Sequence, residues 1–276
     1  MGTRALTRGS NVTAAARRAA VAVPRTRRAA GGAPPADLTE RIETVATELF
    51  IRNGYHGVSY LGIGKELGIT HSNVHYYYRT KAALAEAALK RVAKETLRAT
   101  EGIWTDGGTS LTEKFVLMRD WTFDSYLRFN PDGKGGRPWG LLSRFSMEAD
   151  ALTPEMRQTI RTTLRKLEDD IRTSVQLAIA RRELIVNAPV EGITLQISSV
   201  MYQTGLLTRH AAGFSRLDQL LMWTISGLLK AYGAAGPSAV AWPAINIPGT
   251  KTPAPRKPAA ELASATSSQN ILKETT

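Results

Sequence analysis

Two short apolar-periodic runs separated by Gly68-Ile69-Thr70 constrain this chain more than any other feature. The first, YLGIGKEL, places Leu61, Ile63 and Leu67 at helical intervals behind Ser59, whose hydroxyl can accept from the free amides of a helix start, and Gly68 ends it. The second follows Thr70, a cap of the same kind, and runs from about His71 to Tyr78. Helices this short are not stable singly. Joined by so tight a turn, they have the spacing of a helix-turn-helix and need a third element to pack on.

That element precedes them. DLTE sets Asp37 as an N-cap with Glu40 three residues on, the spacing of a capping box. Ile42, Val45, Ala46, Leu49 and Phe50 then recur at helical spacing until Asn53-Gly54. Thr80 caps a fourth helix from Lys81 to about Trp104. After Thr105-Asp106-Gly107-Gly108 the pattern stays helical over 111–129, breaks at NPDGKGGRPWG (130–140), and resumes briefly in GLLSRFSMEAD. Thr153-Pro154 opens a long helix expected to reach about Leu184, with Leu164, Leu167, Ile171, Val175 and Ala178 in one stripe. Two last helices are expected at 190–210 and 216–232. Both are apolar on more than one face: Ile193, Ile197, Val200, Met201 and Leu206 in one, Leu217, Leu220, Leu221, Ile225, Leu228 and Leu229 in the other. A helix apolar nearly all round is buried twice, so these two are expected to form the seam of a homodimer.

Charge sharpens the reading only when divided by region. Of the formal net +12, +7 lies in residues 1–36 and +2 in residues 236–276, leaving +3 for residues 37–235. Both ends are rich in Ala, Pro, Gly, Ser and Thr without a periodic apolar face, and are expected to be disordered. The N-terminal one is Arg-rich and acid-free like a transit peptide, but shows no clear amphipathic helix. Arg27-Arg28 lacks the apolar run of an export signal. As a flexible arm it would add sequence-independent attraction to phosphate. No apolar run approaches the ~18 residues of a membrane span, and zero cysteines exclude disulfides and thiolate metal sites.

On a helical wheel of residues 70–78, Val74 and Tyr78 share one side while His71, Ser72, His75 and Tyr76 share the other. The second side has rings and hydrogen-bonding groups but no carboxylate, which suits a major groove with its base-edge donors and acceptors between two phosphate walls. Residues 41–84, RIETVATELFIRNGYHGVSYLGIGKELGITHSNVHYYYRTKAAL, resemble the DNA-binding domain of the TetR family of bacterial transcriptional regulators in the order and spacing of Arg41-Ile42, Ala46, Leu49-Phe50, Gly54-Tyr55, Ser59, Ile63, Gly68-Ile69-Thr70, Thr80-Lys81 and Leu84.

The resemblance implies an all-α protein of about nine helices: an N-terminal three-helix DNA-binding domain with a helix-turn-helix, and a C-terminal helical ligand-binding and dimerisation domain. The expected boundaries are a disordered basic tail (1–36), the DNA-binding domain (37–98, motif about 59–78), the ligand-binding and dimerisation domain (99–235) and a second disordered tail (236–276). Carried over by position, Ser59 would cap the second helix and bond a phosphate. Thr70 would cap the recognition helix, and His71, Ser72 and Asn73 would face bases. His75, where the family usually has Tyr, would reach bases or phosphates with Tyr76 and Tyr77; Lys81 would contact phosphate, and Tyr78, where a buried Phe is usual, would be core. Ser72 replaces a common Gly, and Gly62 and Gly64 stand where an acid and Ala are more usual.

The family implies a palindromic double-stranded DNA operator, a cytoplasmic location, and a mainly apolar or aromatic effector that relieves repression. Trp104, Met118, Trp121, Phe145 and Tyr202 are candidates for its pocket. Other readings are weaker on the residues. His71 and His75 have the i, i+4 spacing of two zinc ligands, but only His56 and His210 remain to complete a set and Ser72 stands where a catalytic Glu would be, so no metal and no cofactor is expected. The 130–140 segment lacks the Walker A pattern and is expected to be a mobile connection. No GxSxG elbow or acid–base pair within a motif supports catalysis, and Glu168-Asp169-Asp170 is expected to be a solvated helix face, with Glu168 and Arg172 at i, i+4. The rival function is a helical small-molecule-binding or enzymatic domain carrying a vestigial DNA-binding head.

Overall fold

The computed structural model describes residues 38–236 and 240–248. Among these, ten α-helices and one 3-10 turn carry the fold and no strand forms. The helices are α1 (Leu38–Asn53), α2 (Tyr60–Leu67), α3 (His71–Tyr77), α4 (Lys81–Trp104), α5 (Leu111–Leu127), α6 (Leu141–Ser146), α7 (Pro154–Ala180), α8 (Val190–Tyr202), α9 (Thr204–His210) and α10 (Ser215–Tyr232). The chain divides after Pro243, and Ala244–Pro248, taken by itself, has no regular secondary structure. The Asp37 cap and the expectations for 1–36 lie outside the described residues.

Local chemistry places most of the starts. Ser59, Thr70 and Thr80 each accept from the amide three residues on, and Ser110 and Glu113 close a reciprocal capping box at α5. Thr153 caps α7 with Pro154 in its first turn. The helix expected over 190–210 is instead two, broken at Gln203, and this raises the count from nine to ten. The long helix ends at Ala180 and not near Leu184, because Arg182 turns into the left-handed region (φ 59°) and Glu183 and Leu184 fold back to the Ala178 carbonyl. Leu184 then bridges Gly233, tying the end of α7 to the end of α10.

The core of the N-terminal head is not confined to the head. Ile42, Ala46 and Phe50 of α1, Ile63 of α2, Val74 of α3 and Leu84, Ala88 and Leu89 of α4 form one apolar cluster with Phe129, Leu141, Phe145, Leu152, Met156 and Ile160 from the body. Phe145 meets Phe50 edge-on at 5.5 Å and Tyr55 at 6.3 Å. Beside it Glu148 accepts from the Tyr55 amide at 2.7 Å and pairs with Arg144 at 2.7 Å. The rest of the body is a stack in which α4 packs on α7, α7 on α8 and α5 on α10.

Three further expectations are corrected. The 130–140 segment is fastened: Asn130, 2% exposed, donates to the Tyr126 and Arg137 carbonyls and accepts from the Arg137 amide, and Trp139 donates through its indole to Thr208 Oγ1 at 2.8 Å. Asp170 is not on a solvated face. It is buried, with one oxygen 2.7 Å from Lys166 Nζ, although Glu168 does pair with Arg172 at 3.3 Å. Part of the 236–276 segment is also packed: Trp242 stacks on the buried Arg119 guanidinium, 4.9 Å from its ring centroid, and donates to Asp218, while Arg119 bonds the Pro243 carbonyl. Burial raises the Asp218 pKa against the opposing pull of Trp242 and Arg119.

Gly54 is the tightest point of the joint. Its φ is +73°, and a Cβ there would lie 2.3 Å from Glu148 Oε1 and 2.4 Å from Arg144 Nη2. Gly54→Ala is expected to destabilise by about 2 kcal/mol or more, from the left-handed backbone plus the clash. In urea unfolding the Gly54→Ala, Glu148→Ala double variant should lose less than the two single losses added together, because removing the carboxylate removes part of the clash. Strict additivity would contradict this account of the joint.

Candidate nucleic-acid interface

The helix-turn-helix is built on one close backbone approach. Gly68 ends α2 in the left-handed conformation and its amide bonds the Gly64 carbonyl, and so does that of Ile69. A Cβ on Gly64 would stand 2.7 Å from the Ile69 carbonyl oxygen, so the unusual glycine lets the turn close against α2. A Cβ on Gly62 would meet only Ser59 Oγ at 3.5 Å, and nothing in the structure requires glycine there.

The three consecutive tyrosines separate as the wheel predicts. Val74 is fully buried; Tyr76 is 82% exposed, and Tyr77, 40% exposed, meets it edge-on at 5.5 Å. Tyr78 leaves the helix as an extended C-cap (φ −130°), and its half-buried side chain donates to Glu43 of α1. Its carbonyl accepts from the Tyr60 hydroxyl at 2.7 Å. Burial, followed by the influence of Tyr55, raises the pKa of Tyr60 and keeps that donor protonated. Tyr60 also meets the His75 ring edge-on at 6.0 Å. Tyr60 of α2 and Tyr78, the cap that follows α3, therefore anchor α3 from behind.

The outward set is His71, Ser72, Asn73, His75, Tyr76 and Tyr77, all exposed, with no carboxylate in α3. Ser59 and Thr70 are exposed at the caps, where their oxygens accept from Gly62 and Asn73 and their hydroxyl protons remain to be donated. Lys81 differs: it is half-buried, with its ammonium 4.7 Å from the Tyr55 ring centroid. Arg79 and Lys65 are further exposed bases, one just after α3 and one in the last turn of α2, that the helical wheel of residues 70–78 does not include. Their signal was charge in the two turns around the motif.

The five candidate pocket residues lie on four helices: Trp104 on α4, Met118 and Trp121 on α5, Phe145 on α6 and Tyr202 on α8. Trp104 is fully buried, edge-on to Phe115 at 5.7 Å, with its indole nitrogen unbonded, and Met118 is buried on α5 while Trp121 is half-exposed. Phe145 belongs to the joint between head and body. Tyr202 spans α8 to α7, donating to the Leu164 carbonyl at 2.8 Å, with its pKa pushed up to about 12 by burial and then by Glu168. Two surface clefts, of about 520 and 530 Å³, are lined by other residues. Among the described residues no three His, Asp or Glu side chains are placed to hold a metal ion, and no helix is long and apolar enough to cross a membrane.

Residues 42–88 match the family model of bacterial regulatory proteins of the tetR family. No curated protein matches the chain. Among solved structures, a TetR transcriptional regulator from Chloroflexus aurantiacus shares the fold with a TM-score of 0.59 at 21% identity, over 71% of this chain and 96% of that one. The regulatory protein TetR from Rhodobacter sphaeroides does so at 0.58 and 16%, over 70% and 97%. A putative transcriptional regulator from Saccharomonospora viridis, in complex with choline, does so at 0.56 and 18%, over 68% and 94%.

The tyrosines should separate in stability measurements as they do in space. Tyr78→Phe removes a hydrogen bond to a carboxylate and is expected to cost about 1–2 kcal/mol in urea unfolding. Tyr76→Phe should fall within about 0.5 kcal/mol of wild type, as for an ordinary surface change. Equal losses would sink the division between anchoring and outward rings.

Proposed function

Starting from a TetR-family DNA-binding head on an all-α body of the same regulators' fold, we infer that this chain is a sequence-specific transcriptional regulator: a ligand-relieved repressor that binds a palindromic operator as a homodimer. The observation that carries the reading is the exposed, carboxylate-free face of α3, fixed from behind by Val74, Tyr60 and Tyr78. His71, Ser72 and Asn73, at the start of the helix, address base edges. His75, Tyr76 and Tyr77 address bases or backbone, and Ser59, Thr70 and Lys81 hold phosphates. Lys81 reaches its phosphate from the Tyr55 ring with part of its water already removed.

Two copies of α3 must enter successive major grooves roughly 34 Å apart. The dimer that sets this spacing forms through α8 and α10, with α9 beside them. Leu195 and Trp223 are 62% and 68% exposed on these helices, and Leu220, Trp223 and Gly227 follow one another at helical spacing on α10. An effector in the body relieves repression by binding better to a conformer whose two recognition helices no longer fit both grooves. A differential affinity of a few kcal/mol suffices. The choline complex of the Saccharomonospora viridis regulator supports a small-molecule role for this fold. Such a regulator works in the cytoplasm, on chromosomal DNA.

Fluorescence anisotropy with a promoter fragment beside its own gene tests the DNA reading. Asn73→Ala should cost about 1–3 kcal/mol and relax preference at one operator position. Arg79→Ala should weaken all sequences alike and flatten the salt dependence. Absence of binding by wild type at moderate salt overturns the proposal.

The seam has its own test. Trp223→Glu should convert the dimer to a monomer in light scattering and weaken operator binding, with helical content retained by circular dichroism. A persistent dimer would place the interface elsewhere.

A further inference from the structure

Beside the joint between head and body lies a cleft of about 520 Å³ that the DNA-binding reading does not use. Arg52 comes from the last turn of α1, Arg128 and Phe129 follow α5, and Pro131, Arg137 and Pro138 come from the fastened loop. No carboxylate lines it. The guanidinium carbons of Arg52 and Arg128 lie 5.8 and 6.0 Å from the centroid of the Phe129 ring. Both lean on Glu48, at 3.5 and 3.9 Å. One carboxylate balances one of these two cations, and among the described residues Arg137 has no ion pair.

The backbone that carries the third arginine is fastened. Asn130, almost wholly buried, accepts from the Arg137 amide at 3.0 Å and donates to the Arg137 carbonyl at 3.1 Å. Tyr126 donates to the Gly135 carbonyl at 2.7 Å, and the Gly135 amide bonds the Ala212 carbonyl at 2.8 Å. The loop is pinned on both sides of its turn, so the backbone that presents Arg137 to the cleft is not a loose segment. A solvated charge run would need no such scaffold.

We propose that this cleft binds a small organic anion, a carboxylate or phosphate on a flat apolar body. The guanidinium forks of Arg52, Arg128 and Arg137 would take the oxyanion, and Phe129, Pro131 and Pro138 would form the apolar wall. Guanidinium geometry matches both oxyanions with paired N–H donors, and the volume falls within the usual range of ligand sites, about 300–1,000 Å³. The bound anion joins the end of α1 to the end of α5 and the 130–140 loop, and so ties the head to the body. Its effect on operator affinity rests on the DNA-binding reading; its binding does not.

The experiment uses the full chain without DNA, with benzoate, phenyl phosphate and neutral benzyl alcohol as probes at constant ionic strength, followed by saturation-transfer NMR and calorimetry. At least one of the two anions should bind saturably, and benzyl alcohol at least about tenfold more weakly. Arg128→Gln and Arg137→Gln should each weaken the anion about tenfold, while Arg161→Gln, an exposed arginine of α7 outside the cleft, leaves it unchanged. Thermal melting of each variant checks that it is folded. Equal binding of anion and alcohol, or no loss in folded Arg128→Gln and Arg137→Gln, overturns the proposal. So does a loss of DNA affinity in Arg137→Gln without any anion binding, because the cleft would then be a phosphate contact. Anion binding by a chain that binds no DNA would sink the regulator reading and leave the site standing.

Discussion

The structure depends on the wedge of Phe145 against α1. A short helix of six residues, Leu141–Ser146, has no stability of its own. It persists because Phe145 is fully buried between Phe50 and Tyr55, a burial worth roughly 2–3 kcal/mol. Glu148 then accepts from the Tyr55 amide just past the end of α1, giving that N–H its partner. The head cannot tilt on the body without opening this joint. The contact is thus a packing element that head and body share.

The recognition helix illustrates how few residues such a device needs. Seven residues give less than two turns of useful face, and most of that face points outward. The anchoring is supplied by Val74, by Tyr78 reaching Glu43, and by Tyr60 reaching the Tyr78 carbonyl. Glu43 in turn pairs with Arg91 of α4 at 3.4 Å. Two long helices therefore steady one short helix through polar contacts at its end, leaving the outer rings and amides free of structural duty.

Much of this was legible in the sequence, and particular residues show why. Caps and glycine stops are local: Ser59, Thr70, Thr80, Ser110 and Thr153 act through amides three residues away, so they mark helix starts whatever lies around them. The split at Gln203 has no proline and no left-handed glycine, and the one glycine near it, Gly205, lies inside α9, so no local stop marks the break. The 130–140 loop reads as mobile because its glycines and prolines are visible, while the partners that pin it, Tyr126, Thr208 and Ala212, are mostly distant in the chain. Asp170 and Trp242 were misplaced for the same reason: their burial depends on what packs over them.

The sequence by itself determined the helical class, the helix-turn-helix and the outward face of α3, because these follow from short-range periodicity and the chemistry of individual residues. Only the tertiary structure decided that head and body share a core, that Phe145 packs in that core against Phe50 and Tyr55, and that three arginines from α1, the end of α5 and a pinned loop line one cleft. Those outcomes bring together residues far apart in the chain, such as Tyr55 and Glu148 with |i−j| = 93. No local propensity encodes such a meeting; it is settled by which apolar faces find the closest packing.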